Sequence, residues 1–110
     1  MHRVAVLLLP PVVGFDAAIA PTMFSNATDA DGNALYDVVT CALTRGPVAA
    51  TTGFDVLPAA GPEALATADT VVIPGTRFPP ARIESRLHTL FWGQAHRVCA
   101  GPAAVASHRR

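Results

Sequence analysis

Apolar positions along this 110-residue chain fall into runs of two kinds. Val4 to Leu9, VAVLLL, is continuously apolar and is closed by Pro10-Pro11, the pattern of a parallel strand buried on both faces. The next stretch, FDAAIAPTMFSNA, places Phe15, Ile19, Met23 or Phe24, and Ala27 at helical intervals, with Asp16 near the start where the helix dipole favours a carboxylate. Pro21 inside it predicts a kink or a later helix start. DADGN, residues 29–33, reads as a turn around Gly32, and YDVVTCAL, residues 36–43, as a second strand. GPVAATTGFDVLP, residues 46–58, holds two short extended pieces with Gly53 between them, which predicts a small surface hairpin.

GPEALATAD predicts a short helix with Pro62 and Glu63 in its first turn. Thr70 to Ile73 is the clearest strand, stopped by Pro74-Gly75. PPARIESRLHTLFW, residues 79–92, has Ile83, Leu87, Leu90 and Phe91 on one face and predicts an amphipathic helix opened by proline. After Trp92 the pattern weakens to a strand candidate of three or four residues near Val98 and a small-residue run ending in His108-Arg109-Arg110. Buried strands alternating with helices predict an α/β fold with a parallel sheet and right-handed crossovers. Ligands of such sheets sit at the carboxyl ends of strands, here Pro10-Pro11, Pro74-Gly75 and whatever follows Val98.

Composition narrows the class. About half of the residues (51%) are apolar and 15% are charged, so a buried, Ala- and Val-rich interior is expected rather than disorder. There is no Lys, and the net charge of zero hides a split. Residues 1–76 hold two Arg against seven acids, and residues 77–110 hold six Arg against Glu84 alone. Those Arg are scattered, without interleaved aromatics or a basic stripe, so direct DNA binding by this chain is not expected. Cys41 and Cys99 lie far apart and form no CxxC or metal spacing. Neither a metal nor a disulfide framework is implied, and no apolar run reaches the roughly 18 residues of a membrane span.

The opening can also be read as a secretory leader, with Arg3, an apolar core and an Ala-x-Ala exit at Ala18 to Ala20. Pro10-Pro11 cuts that core short, Asp16 interrupts its continuation and Pro21 would follow the cut, so a cytoplasmic chain is the better expectation.

Taken in order, GFDAAIAP with the later Phe24, the DADG turn, YDVVTCAL, GPVAATTGFDVLP and ALATADTVVIPGT resemble the amino-terminal half of the ThiJ/PfpI domain of the class I glutamine amidotransferase-like superfamily. The resemblance runs over residues 3–92, with 93–110 a degraded or atypical tail, and it is greatest to the version fused to AraC-type helix-turn-helix domains in transcriptional activators. It implies a flavodoxin-like parallel sheet with helices on both faces, a homodimer, and a pocket that takes a small-molecule effector; no cofactor is implied. The lost pattern after Trp92 and the Arg-ended tail suggest truncation or a shifted reading frame. Apolar surface that a missing half would cover is then expected to be exposed.

Enzymes of that superfamily use a cysteine on a sharp strand-to-helix turn, where the helix amino terminus favours thiolate. The matching residue is Cys99 in RVCAG, similar to the regulators' VCTG. Peptidase- and deglycase-like members close the first strand with a Glu, and here that place is Pro10 or Pro11, which cannot titrate. The isonitrile-hydratase branch uses an acid in the following turn, a position that Asp16 matches; the plainer role for Asp16 is to cap or charge the helix start. Pro74-Gly75-Thr76 resembles the family turn whose backbone amides line an oxyanion spot, with Gly allowing close backbone approach. The resemblance therefore implies ligand contacts at Pro10, Asp16, Gly75 and Thr76. It implies a non-catalytic ligand-sensing and dimerisation domain, or a fragment of one, from an AraC-family regulator. The alternative is a small hydratase or amidase that uses Cys99 and Asp16. Cys41, within a strand, reads as a small core residue.

Overall fold

A computed structural model describes residues 2–78, 95–99 and 104–109. Strand β1 (His2–Leu7) is followed by helix α1 (Gly14–Ser25), strand β2 (Tyr36–Cys41), a hairpin of β3 (Val48–Ala49) and β4 (Asp55–Val56), helix α2 (Glu63–Thr67) and strand β5 (Thr70–Ile73). Strands β6 (Ala95–Cys99) and β7 (Ala104–Arg109) complete the described elements. The main sheet has the order β2-β1-β5-β7-β6. β1 pairs in parallel with β2 on one side and with β5 on the other. β7 joins β5 antiparallel, and β6 joins β7 antiparallel. The fold is thus α/β, as the alternating pattern predicts, but its sheet is mixed: three parallel strands continue into two antiparallel ones.

The unbroken apolar run of β1 has a direct structural cause. Side chains alternate between the two faces of a strand, and both faces of β1 are covered. Val4, Val6 and Leu8 belong to one core cluster with Ala17 of α1, while Ala5, Leu7 and Leu9 belong to the other with Ala64 and Leu65 of α2. The helices therefore lie on opposite faces of the sheet. All six residues from Val4 to Leu9 are buried, although the strand itself ends at Leu7.

Helix α1 departs from the sequence expectation in two ways. It continues as one helix from Gly14 past Pro21, without a later start. Its inward face is also not the Phe15, Ile19, Met23 stripe: Ala17 is buried, Ala20 and Phe24 pack on the same cluster, and Phe15, Ile19 and Met23 are exposed. Small residues let the helix lie close to β1, and Phe24 meets Tyr36 of β2 edge-on at 4.9 Å, a favoured aromatic geometry.

The hairpin is also less superficial than expected. Val48 is buried in the core cluster of α1, and Ala50 forms a parallel bridge to Val12. Gly53 turns the hairpin at φ +85°, and Gly32 turns the Asp29–Asn33 loop at φ +83°, conformations that favour glycine. In that loop the Asp29 carboxylate accepts the Asp31 and Asn33 amides at 2.8 and 3.0 Å. Its pKa is held below the ordinary value chiefly by the Asn33 amide. The helix expected over residues 79–92 lies outside the described residues. No described helix is long and apolar enough to cross a membrane.

Candidate functional site

The chain runs from β1 to β2 on one side and then returns to β5 on the other side of β1. The order of strands reverses at the β1/β5 boundary, and the crevice outside the carboxyl ends of these two strands is where an open α/β sheet places its ligand. Two segments meet there: residues 8–13 after β1, and Pro74 to Arg77 after β5.

These segments are tied to each other. The Thr76 hydroxyl donates to the Leu9 carbonyl at 2.6 Å and lies 3.2 Å from the Pro11 carbonyl. The same oxygen accepts the Phe78 amide at 3.0 Å. Backbone bonds complete the clasp: Val13 N–H donates to Gly75 O at 2.8 Å and Arg77 N–H to Pro11 O at 3.0 Å. On the other side Val12 N–H donates to Ala49 O and Thr51 N–H to Val12 O, at 3.0 and 2.9 Å. The loop after β1 is therefore held from both sides, by the β5 turn and by the hairpin.

Of the residues expected to contact a ligand, Pro10, Gly75 and Thr76 come together in this clasp, and Asp16 sits two residues into α1 beyond its first residue, Gly14. Pro10 is exposed and joined to Pro11 by a cis peptide. Gly75 and Thr76 are half-buried, but the Gly75 carbonyl and the Thr76 hydroxyl are engaged in the clasp itself. Asp16 does not occupy the helix cap: Val13 stands there, with no side-chain cap bond. The half-buried Asp16 carboxylate instead adds charge to the first turn, where the helix dipole favours it. It forms no ion pair among the described residues.

The two cysteines lie in different settings. Cys41 closes β2, fully buried in the α2-side core. Burial pushes its thiol up to about 12, and the negative charge of Glu63 adds to the shift. It is a core residue, as its apolar neighbours in the sequence indicate. Cys99 closes β6 with its backbone opposite Val105 of β7, and the next described element is that antiparallel strand. The described backbone around Cys99 is thus strand followed by strand. Among the described residues no cluster of three or more His, Cys, Asp or Glu side chains is placed to hold a metal ion.

An open groove of about 590 Å³ lies beside the crevice, on the outer side of α1. Phe15, Ile19 and Met23 line one wall and Thr52 and Phe54 of the hairpin the other. Its floor begins at Gly14, where any side chain would run into Thr52 and Phe54. Neither the groove nor the Thr76 clasp is evident from sequence spacing. The three apolar helix residues carry the signal for the groove, but periodicity alone does not say which way a stripe faces.

The clasp is testable by removing one hydroxyl. Thr76→Val withdraws the donor from the part-buried Leu9 carbonyl and is expected to cost about 1–3 kcal/mol. Thr76→Ser should retain most of the stability, and thermal denaturation of the two variants measures the difference.

Comparison with family models, with curated proteins and with solved structures finds no match to the chain.

Proposed function

We propose that the chain is a non-catalytic ligand-sensing and dimerisation domain, or part of one, of an AraC-type transcriptional regulator, with a flavodoxin-like ancestry for its sheet. The resemblance of GFDAAIAP, YDVVTCAL and ADTVVIPGT to the ThiJ/PfpI domain suggests the family. The observation that carries the reading is the make-up of the β1/β5 crevice. A parallel-sheet switch point is present, and two prolines stand where an enzyme of that superfamily keeps its Glu. One carboxylate, Asp16 in the first turn of α1, stands beside the crevice, and it suits a small polar effector bearing a hydrogen-bond donor or a positive charge.

The alternative, a hydratase or amidase built on Cys99 and Asp16, is supported by Asp16 alone. Asp16 stands in the first turn of α1, beside the crevice. Against it stands the next described element after Cys99, strand β7 from Ala104, since an elbow nucleophile is followed by a helix.

Titration of the ¹⁵N-labelled chain with a panel of small amines, amides and nitriles tests the reading. Binders are expected to shift the amides of Asp16, Gly75 and Thr76 without being consumed, and Asp16→Asn should weaken them about tenfold or more, the loss of one charge-assisted hydrogen bond. Turnover of an amide or isonitrile that Cys99→Ser abolishes would overturn it in favour of the enzyme.

A further inference from the structure

The antiparallel ladder of β6 and β7 sets His96 directly opposite His108, followed by Arg97 against Ser107 and Val98 against Ala106. Positions opposite each other in such a ladder share a face, with Cβ atoms about 4.5–5.5 Å apart. Spacing along the sequence does not announce this pair, because no short metal-ligand motif joins the two residues. The strand register alone brings them level.

The place of the pair in the sheet separates it from the site described above. β7 runs against β5 with Ile73 opposite Ala104 and Thr70 opposite Ser107. His108 therefore lies one step beyond the start of β5, at the end of the sheet away from the β1/β5 crevice. The face is the one that α2 covers: Ala106 stands opposite both Val98 and Val71, and Val71 belongs to the core cluster of Ala64 and Leu65. Asp69, the residue before β5, continues the same ladder by one step and falls level with His108. It is fixed to β1 by its amide, which donates to the Arg3 carbonyl at 2.8 Å, and by its carboxylate, which accepts the Arg3 amide at 2.9 Å. Arg97 and Arg109 fall on the other face by the two-residue alternation of a strand.

We propose that this juxtaposition of His96 and His108 is a binding site for a divalent transition-metal cation of the zinc class. Neutral imidazole is a common ligand of Zn²⁺, Cu²⁺ and Ni²⁺ and a poor one for Mg²⁺, which prefers oxygen. The negative charge of Asp69 in the same row favours a cation, and the two arginines of these strands are placed on the opposite face. Two protein ligands leave the remaining positions of the ion to water. β6 is the edge strand of the sheet, so an ion shared between positions 96 and 108 ties that edge to β7, a staple of the kind small domains use. The site is independent of the ligand-sensing function proposed above, and either can fail without the other.

Isothermal titration of the full chain with Zn²⁺, and with Mg²⁺ as the control, tests the site, using a Cys99→Ser background so that this thiol does not compete. The expected results are one Zn²⁺ per chain, a rise in Tm with zinc and no response to Mg²⁺. His96→Ala and His108→Ala should each weaken zinc binding by about tenfold or more, whereas His2→Ala should leave it unchanged. Adding Arg97→His to His96→Ala moves the imidazole to the other face of the strand and should not restore binding. If the alanine variants do not fold, imidazole ¹H–¹⁵N spectra decide: zinc should shift two of the four histidine rings, neither of them His2 or His88. No zinc binding up to millimolar concentration, binding that survives either alanine substitution, binding restored by Arg97→His, or zinc shifts at His2 or His88 instead would overturn the proposal.

Discussion

Leu7→Ala is expected to remove about 3–5 kcal/mol of stability and lower Tm by more than about 10 °C. Leu7 is 1% exposed, pairs across the sheet with Cys41, and shares its core cluster with Leu65 of α2. Truncating a leucine in such a site loses the transfer energy of its methyl groups and leaves a cavity, about 2.7–5 kcal/mol in all. A domain of this length has a total stability of only roughly 5–15 kcal/mol, and each kcal/mol corresponds to about 4 °C or more of Tm. Leu57→Ala is the control: at 74% exposure it should change stability by less than about 0.5 kcal/mol. Because β1 is covered on both sides, Leu7→Ala and Leu65→Ala should combine non-additively, by about 0.5 kcal/mol or more. Leu7→Ala and Phe24→Ala, acting on opposite faces, should add. Urea unfolding of the single and double variants measures both effects.

The second large effect is an alkaline loss of stability that depends on Cys41. The folded thiol titrates near 12, whereas an unfolded cysteine titrates near about 8.5. Between these values the unfolded chain gives up the proton and the folded chain keeps it, so stability falls as pH rises. The slope approaches about 1.4 kcal/mol per pH unit, so roughly 2.7 kcal/mol is lost by pH 10.5. Below the unfolded pKa the contribution is constant, because both states are protonated. Cys41→Ala should start less stable at pH 7 but lose markedly less between pH 8.5 and 10.5. Equal alkaline slopes for the two proteins would mean that Cys41 is not sealed in the core.

Elements with a strong local signature are legible in the sequence. VAVLLL marks a strand covered on both faces, Gly32 and Gly53 mark turns that need positive φ, and TVVI followed by Pro74-Gly75 marks β5 with its end. The orientation of α1 is not legible, because it is apolar on both sides and only packing against Tyr36 and the hairpin decides which side turns inward. Strand β6 overlaps the strand candidate near Val98, but β7 is hidden for a different reason. Ala104–Arg109 is a run of small and polar residues with no apolar alternation, and its strand state depends on pairing with β5 and β6. At the site, the position of Pro10, Gly75 and Thr76 at the carboxyl ends of strands follows from the alternation of elements. The bond from Thr76 to the Leu9 carbonyl joins residues 67 apart in the chain, and no local pattern encodes it.

We propose that the β1/β5 crevice binds without catalysing. The most direct test is the rate at which the native chain reacts with iodoacetamide at pH 6.5, followed by intact mass. Cys41 is buried with a pKa near 12, so labelling of the folded chain reports on Cys99 alone. The expected rate is no higher than that of an unstructured peptide thiol, with no change in Asp16→Asn. A rate tens of times higher that falls in Asp16→Asn would reveal an activated thiolate paired with that carboxylate, and would contradict the account.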